Sequence, residues 1–196
     1  MLRLLILSLF FAWFIPWVFV LKLGLVVYFP YEANGQDRYM RVAGSWFSDW
    51  TPSKQIPRSC KVALIDAEDN NFEDHYGIDP ENIKKAMQRN ERRGKIRFGA
   101  STITQQLVKN LFLSRTKSYL RKAREITGAI LLNSVMSKQD QMTWYFNIVE
   151  FGPRIYGIKD AAKAYFGKKP QNLSAAECDI LVSALPSPVK RFKARH

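Results

Sequence analysis

Gly99-Ala100-Ser101-Thr102-Ile103-Thr104-Gln105-Gln106 is an uncharged run of hydroxyl and amide side chains that leads into an apolar stretch. Ser101 is placed to cap a helix running to about Leu113. A capped helix start presents free backbone N–H groups, which suit phosphate oxygens, although an ordinary capped helix has the same appearance. Lys109 follows Gln105 and Gln106 at helical spacing and shares their face.

Outward from this segment the helical pattern continues. Asp79-Pro80-Glu81 has the form of a helix start, with proline in the first turn and acids at the positive end of the dipole. Gly94 is read as the end of that helix, and Ser118 as the cap of another. Ser137-x-x-Asp140 and Ser174-x-x-Glu177 have the capping-box form, the first imperfectly. Pro186 and Pro188 are read as closing the last helix. No run alternates well enough to predict a sheet, so the expected class from Ser59 onward is mostly α.

The chain has 196 residues, 47% hydrophobic and 24% charged, which excludes a disordered composition. Its net charge of +13 implies an anionic partner: nucleic acid, anionic lipid or a phosphorylated substrate. Between Lys84 and Arg124 there are 13 Lys and Arg against Glu91 alone, a net +12. A solvated surface attracted to anionic lipid explains such a window, and so does a phosphate site. Two cysteines, Cys60 and Cys178, and two histidines are too few for a zinc site of the usual kind. A disulfide between the two cysteines suits an oxidising compartment but is not readable from sequence, and two buried free thiols are expected instead.

Leu4 to Leu21 is free of charge, and apolar character resumes after Lys22 through Phe29. About 20 apolar residues cross a bilayer core, and no good cleavage site follows, so residues 1–29 are read as an uncleaved transmembrane anchor. Arg3 favours an N-terminus inside, while Arg38 and Arg41 lie on the other side. Residues 30–57 are read as a juxtamembrane connector and 58–196 as one folded domain.

Two further clusters carry chemistry. Glu68-Asp69-Asn70-Asn71-Phe72-Glu73-Asp74-His75-Tyr76-Gly77 follows the apolar run Val62 to Ile65, at the end of an expected helix. A carboxylate shielded by Phe72 suits general-base work, although composition alone fits a solvated acidic helix end better. Arg121-Lys122-Ala123-Arg124-Glu125 places Arg121 and Glu125 four residues apart. That is either a surface pair worth about 0.3–0.5 kcal/mol or a carboxylate held beside a diphosphate-binding basic cluster.

Taken in order, Glu-Asp-x-x-Phe-x-x-His-x-Gly from Glu68, Gly-x-Ser-Thr-Ile-Thr-Gln-Gln from Gly99 and Arg-Lys-x-x-Glu from Arg121 resemble the peptidoglycan glycosyltransferases of family 51. That family includes the monofunctional transglycosylases and the N-terminal domains of class A penicillin-binding proteins. Lys138 through Tyr145 with Asn147 and Gly152 resembles its fourth motif. Arg154, Gly157, Ala161-Ala162 and Tyr165-Phe166-Gly167-Lys168 resembles its fifth. Ala100 stands where the family often has glycine, Lys117 where Arg is common, and Asn133 where an acid is frequent. A lysine replaces a planar fork with a point charge, so the Lys117 contact to diphosphate is expected to be looser.

The resemblance implies a lysozyme-like domain with a small membrane-proximal subdomain, behind one N-terminal transmembrane helix. It implies polymerisation of lipid II into glycan strands for the cell wall, by inverting transfer that releases undecaprenyl diphosphate. Glu68 would be the base and Glu125 the second carboxylate, orienting cations or a divalent ion (Mg2+ or Mn2+), with no organic cofactor. The remaining substrate-binding positions would be Asp69, Phe72, His75, Ser101, Thr102, Gln105, Gln106, Lys109, Lys117, Arg121, Lys122, Asn147 and Arg154. The implied partners are lipid II, the growing strand and, beyond these, cell-wall synthesis or division proteins, but no nucleic acid. The implied location is the bacterial inner membrane, with one pass and the catalytic domain outside.

Two rivals stand beside this. A lytic transglycosylase needs a catalytic Glu but no diphosphate-binding cations, and a non-enzymatic membrane-anchored scaffold needs neither. Ser114-x-x-Lys117 and Ser187-x-x-Lys190 lack the Ser-Asp-Asn and Lys-Thr-Gly elements of a transpeptidase, and the chain ends early for a second domain. A monofunctional enzyme insensitive to β-lactams is therefore expected.

Overall fold

A computed structural model describes residues 50–93, 99–113 and 118–195. The predicted anchor (1–29), most of the predicted connector (30–57), Gly94 and Lys117 lie outside these residues. Among the described residues no helix is long and apolar enough to cross a membrane.

The described chain is mostly helical. In order it forms α1 (Arg58–Glu68), α2 (Pro80–Arg92), α3 (Ile103–Phe112), α4 (Tyr119–Val135) and α5 (Lys138–Ile148). A hairpin of β1 (Glu150–Gly152) and β2 (Ile155–Tyr156) follows, then α6 (Gly157–Phe166), α7 (Ala175–Ala184) and α8 (Pro188–Lys193). The helix starts follow from their capping side chains. Asp79 accepts the Asn82 N–H with Pro80 in the first turn, Ser118 accepts from Arg121, and Ser137 accepts from Asp140. Ser174 and Glu177 form a complete capping box. Each such cap contributes about 1 kcal/mol.

Three sequence expectations are corrected. Thr102, not Ser101, caps α3: its hydroxyl accepts the Gln105 N–H, while the Gln105 side chain takes the Thr102 N–H. Pro188 does not close a helix but opens α8, because proline in a first turn sacrifices no hydrogen bond. The antiparallel β1–β2 hairpin was not expected, and strands of three and two residues are too short to show alternation.

Cys60 and Cys178 are not free thiols. They form a disulfide that joins α1 to α7 across 118 residues of sequence, with both cysteines buried. The pairing follows from packing, since α1 lies along α7. One apolar cluster, including Leu64, Phe72, Ile103, Leu107, Tyr145, Phe146, Phe151, Ile158 and Leu181, draws on helices α1 and α3 to α7 and on β1. Two glycines allow close approach within it. A Cβ on Gly77 would lie 2.3 Å from the Ala129 carbonyl oxygen, at a φ of +87°. A Cβ on Gly157 would lie 2.6 Å from the Asn147 carbonyl oxygen, at +78°. The first brings the loop after α1 against α4, and the second seats α6 on the end of α5.

Candidate active site

The site is assembled where α1 ends and α3 begins. Glu68 is the last residue of α1. The next residue, Asp69, turns inward and is almost fully buried. Its carboxylate accepts the His75 Nε2 proton at 2.9 Å and the backbone N–H of Ile103, in the first turn of α3, also at 2.9 Å. The Gly77 N–H donates to His75 Nδ1, so the ring proton sits on Nε2, facing Asp69. The Thr102 hydroxyl donates to the Gly77 carbonyl at 2.7 Å. These bonds fix loop 69–77 to the start of α3, and Glu68 to a defined place beside it.

Phe72 is buried with its ring edge-on to His75. The Lys138 ammonium stands 4.6 Å from the Phe72 centroid and donates to the His75 carbonyl at 2.8 Å. Burial pulls the Lys138 pKa below the lysine value, against the raising effect of Asp69, Glu73 and Asp74. Asp69, Phe72, His75, Thr102 and Gln105 are thus all buried, and they hold loop 69–77 and the start of α3 in shape.

A second group of side chains links α1, α3, α4 and α5. Gln106 donates its Nε2 to Glu68 Oε2 at 2.7 Å and accepts the Tyr145 hydroxyl on Oε1 at 2.9 Å. On α4, Glu125 is only 2% exposed and accepts Arg121 Nη1 at 2.8 Å on one oxygen and Lys122 Nζ on the other. Lys122 also donates to Ser101 Oγ at 2.9 Å, which joins α4 to the start of α3. Arg121 Nε is buried with no acceptor among the described residues. Lys109 completes the group. Burial lowers its pKa most, Glu125 and Glu68 raise it, and Arg121 and Lys122 lower it further. Lys109 therefore lies within the field of both carboxylates and both neighbouring cations.

Among the described residues, the predicted site residues therefore fall into three sets. Glu68, Ser101, Gln106, Lys109, Arg121, Lys122 and Glu125 are brought together. The five scaffold residues form the buried network at loop 69–77 and the start of α3. Asn147 and Arg154 stand elsewhere. The Asn147 amide embraces the Thr51 backbone, accepting its N–H at 2.7 Å and donating to its carbonyl at 2.9 Å. Arg154 is exposed at the hairpin turn with φ 62°. Tyr145 and Lys138 were not singled out as site residues. The signal for Tyr145 was a tyrosine among the apolar positions of α5, since a buried phenol needs a polar partner.

No three His, Cys, Asp or Glu side chains converge as a metal-holding group among the described residues. Both Glu125 oxygens accept from cations in this structure.

The family model described as Transglycosylase matches residues 38–196. The biosynthetic peptidoglycan transglycosylase of Pasteurella multocida is 44% identical over 140 residues, covering 71% of this chain and 56% of that protein. That of Herminiimonas arsenicoxydans is 43% identical over 147 residues, 75% of this chain and 63% of that protein. That of Pseudomonas aeruginosa is 40% identical over 163 residues, 79% of this chain and 70% of that protein. The chain thus spans less than two thirds of the length of the first two.

Proposed function

The chain belongs to the transglycosylase family, and from that premise we propose that it polymerises lipid II into peptidoglycan glycan strands by inverting glycosyl transfer. The donor is the growing strand on its lipid diphosphate, and the acceptor is lipid II. The acceptor 4-hydroxyl gives its proton to Glu68 as its oxygen bonds the donor anomeric carbon. The bond from that carbon to the diphosphate oxygen breaks with inversion, and the electron pair leaves with undecaprenyl diphosphate. No covalent enzyme intermediate is required.

The observation that carries this reading is that α3 joins both carboxylates: Gln106 on α3 holds Glu68, and Ser101, just before α3, accepts from Lys122, which with Arg121 is held by Glu125. A base and a set of fixed cations then face the same reacting centre. Cations held in place before reaction stabilise the leaving diphosphate without reorganising. The free Arg121 Nε–H is a donor that a phosphate oxygen would satisfy. Lytic cleavage leaves these cations without a purpose.

In this reading the domain is lysozyme-like and residues 1–29 anchor it in the inner membrane, with the catalytic side outside. The Cys60–Cys178 disulfide supports that side, because such bonds persist in oxidising compartments. These residues are assigned transfer alone: Ser187 and Lys190, one of the two Ser-x-x-Lys pairs, are exposed at α8.

The test is polymerisation of lipid II by the purified chain in detergent, wild type beside Glu68→Gln. Long strands from the wild type and almost none from the variant support the assignment. Lipid II left untouched by the wild type, under conditions where a related enzyme works, would bring the scaffold reading forward.

A further inference from the structure

We propose that Tyr145 is a positioning residue for Glu68, acting through the carboxamide of Gln106; this rests on Glu68 being the base in the reading above. Sequence reasoning gave Gln106 to the diphosphate. Its two polar ends are instead engaged by Tyr145 and Glu68.

The argument turns on the asymmetry of the amide. An ionised carboxylate only accepts, so Gln106 Nε2 must face Glu68 Oε2, leaving Gln106 Oε1 toward Tyr145. The Tyr145 hydroxyl lies in the core, and Gln106 is its hydrogen-bond partner among the described residues. Burial first, and the charge of Glu68 second, raise the phenol pKa far above the ordinary tyrosine value, so it remains a donor. A proton on Glu68 Oε2 would favour the amide turned over, with Gln106 Oε1 as its acceptor. Gln106 Nε2 would then face Tyr145, and the buried tyrosine proton would lose its acceptor. Leaving a buried donor unmade is costly. Tyr145 therefore resists that turn. It holds Oε2 of Glu68 on Gln106 and leaves Oε1 for the acceptor hydroxyl.

The distinction from the scaffold residues is chemical. The Tyr145 ring fills the core, whereas among the described residues its oxygen serves only this chain of bonds. Tyr145→Phe keeps the ring and removes the oxygen, so it isolates the positioning role.

Steady-state polymerisation should show Tyr145→Phe lowering kcat by roughly tenfold, with KM for lipid II within about twofold of wild type. Gln106→Met, similar in size and without the amide, should show the same split. In the Gln106→Met background, adding Tyr145→Phe should cost nothing more, because residues acting as a unit are not additive. A second readout is independent of activity: the side-chain amide resonance of Gln106 in the ¹⁵N-glutamine-labelled chain. It should move on Tyr145→Phe and on Glu68→Gln. Multiplicative losses in the double variant, or a Gln106 resonance unmoved by Tyr145→Phe, would overturn the proposal. A wild type that does not polymerise lipid II would overturn the reading of function, while the amide resonance would still decide whether Tyr145 sets Gln106. If Tyr145→Phe does not fold, the Gln106→Met split decides: a rise in KM with kcat intact would also overturn the proposal.

Discussion

The Asp69 carboxylate accepts the backbone N–H of Ile103 across 34 residues of sequence, at 2.9 Å. The same carboxylate takes the proton of His75. One buried side chain therefore sets both the loop that follows the proposed base and the helix that carries Gln106 and Lys109. Asp69→Ala leaves the Ile103 N–H and the His75 Nε2–H buried without acceptors, and a loss of about 2–4 kcal/mol is expected. Urea unfolding would measure it, as a midpoint that falls at unchanged slope. Glu68→Gln should leave that midpoint within about 0.5 kcal/mol of wild type while removing activity, because Glu68 is half-exposed and its amide isostere keeps the packing. Equal destabilisation by the two substitutions would contradict the separation of scaffold from chemistry.

The disulfide gives a second prediction. Cys60 and Cys178 close a loop of 118 residues, so reduction or the double substitution to alanine removes a large constraint on the unfolded chain. A cost of about 2–5 kcal/mol is expected. Thermal unfolding with and without reductant checks it. A midpoint unmoved by reductant, with thiol titration showing full reduction, would contradict it.

The parts legible in the sequence were the local ones. Asp79, Ser118, Ser137 and Ser174 cap the helices they were read to cap, because a cap is decided within four residues. Ser101 and Thr102 were not separable, since both are good caps. Distant partners decide between them: Lys122 takes Ser101, and Gly77 takes the Thr102 hydroxyl. The Cys60–Cys178 pairing was hidden for the same reason, as nothing in a spacing of 118 residues brings α1 to α7. Asn147 shows the limit for site residues. Its place in a motif was legible, but its engagement with Thr51 depends on how the segment before α1 packs along α5. The Tyr145–Gln106–Glu68 chain joins three helices and had no local signature.

Lys109 supplies a pH prediction. Burial first, then Arg121 and Lys122, outweigh Glu125 and Glu68 and hold its pKa below the ordinary lysine value of 10.5. The charge proposed to face the diphosphate is therefore lost at lower pH than for an exposed lysine. Polymerisation should fall along an alkaline limb that begins below 10.5. Lys109→Arg should move that limb upward, because a guanidinium stays charged. Stability runs the other way. The folded state disfavours the charged form, so the penalty is fully present below the folded pKa and is relieved as pH rises from there toward 10.5. A rate profile in which Lys109→Arg leaves the alkaline limb in place would remove Lys109 from the charge that matters.

Glu125 makes the sharpest contrast with Glu68. Its two oxygens accept from Arg121 and Lys122, and its side chain is 3% exposed. Glu125→Gln keeps the shape but leaves two cations short of a counter-charge. Removing one partner from a fully buried pair costs about 3–5 kcal/mol. Lys122 is 40% exposed here and can turn toward water, so a smaller loss of about 1–3 kcal/mol is expected. The freed Lys122 and Arg121 should also repel each other, so added salt should restore part of the lost stability, where it would leave Glu68→Gln unchanged. Urea midpoints at low and high salt measure both effects. If Glu125→Gln lost activity with no change in midpoint at either salt, Glu125 would belong to the chemistry directly, and its part in holding Arg121 and Lys122 would be secondary.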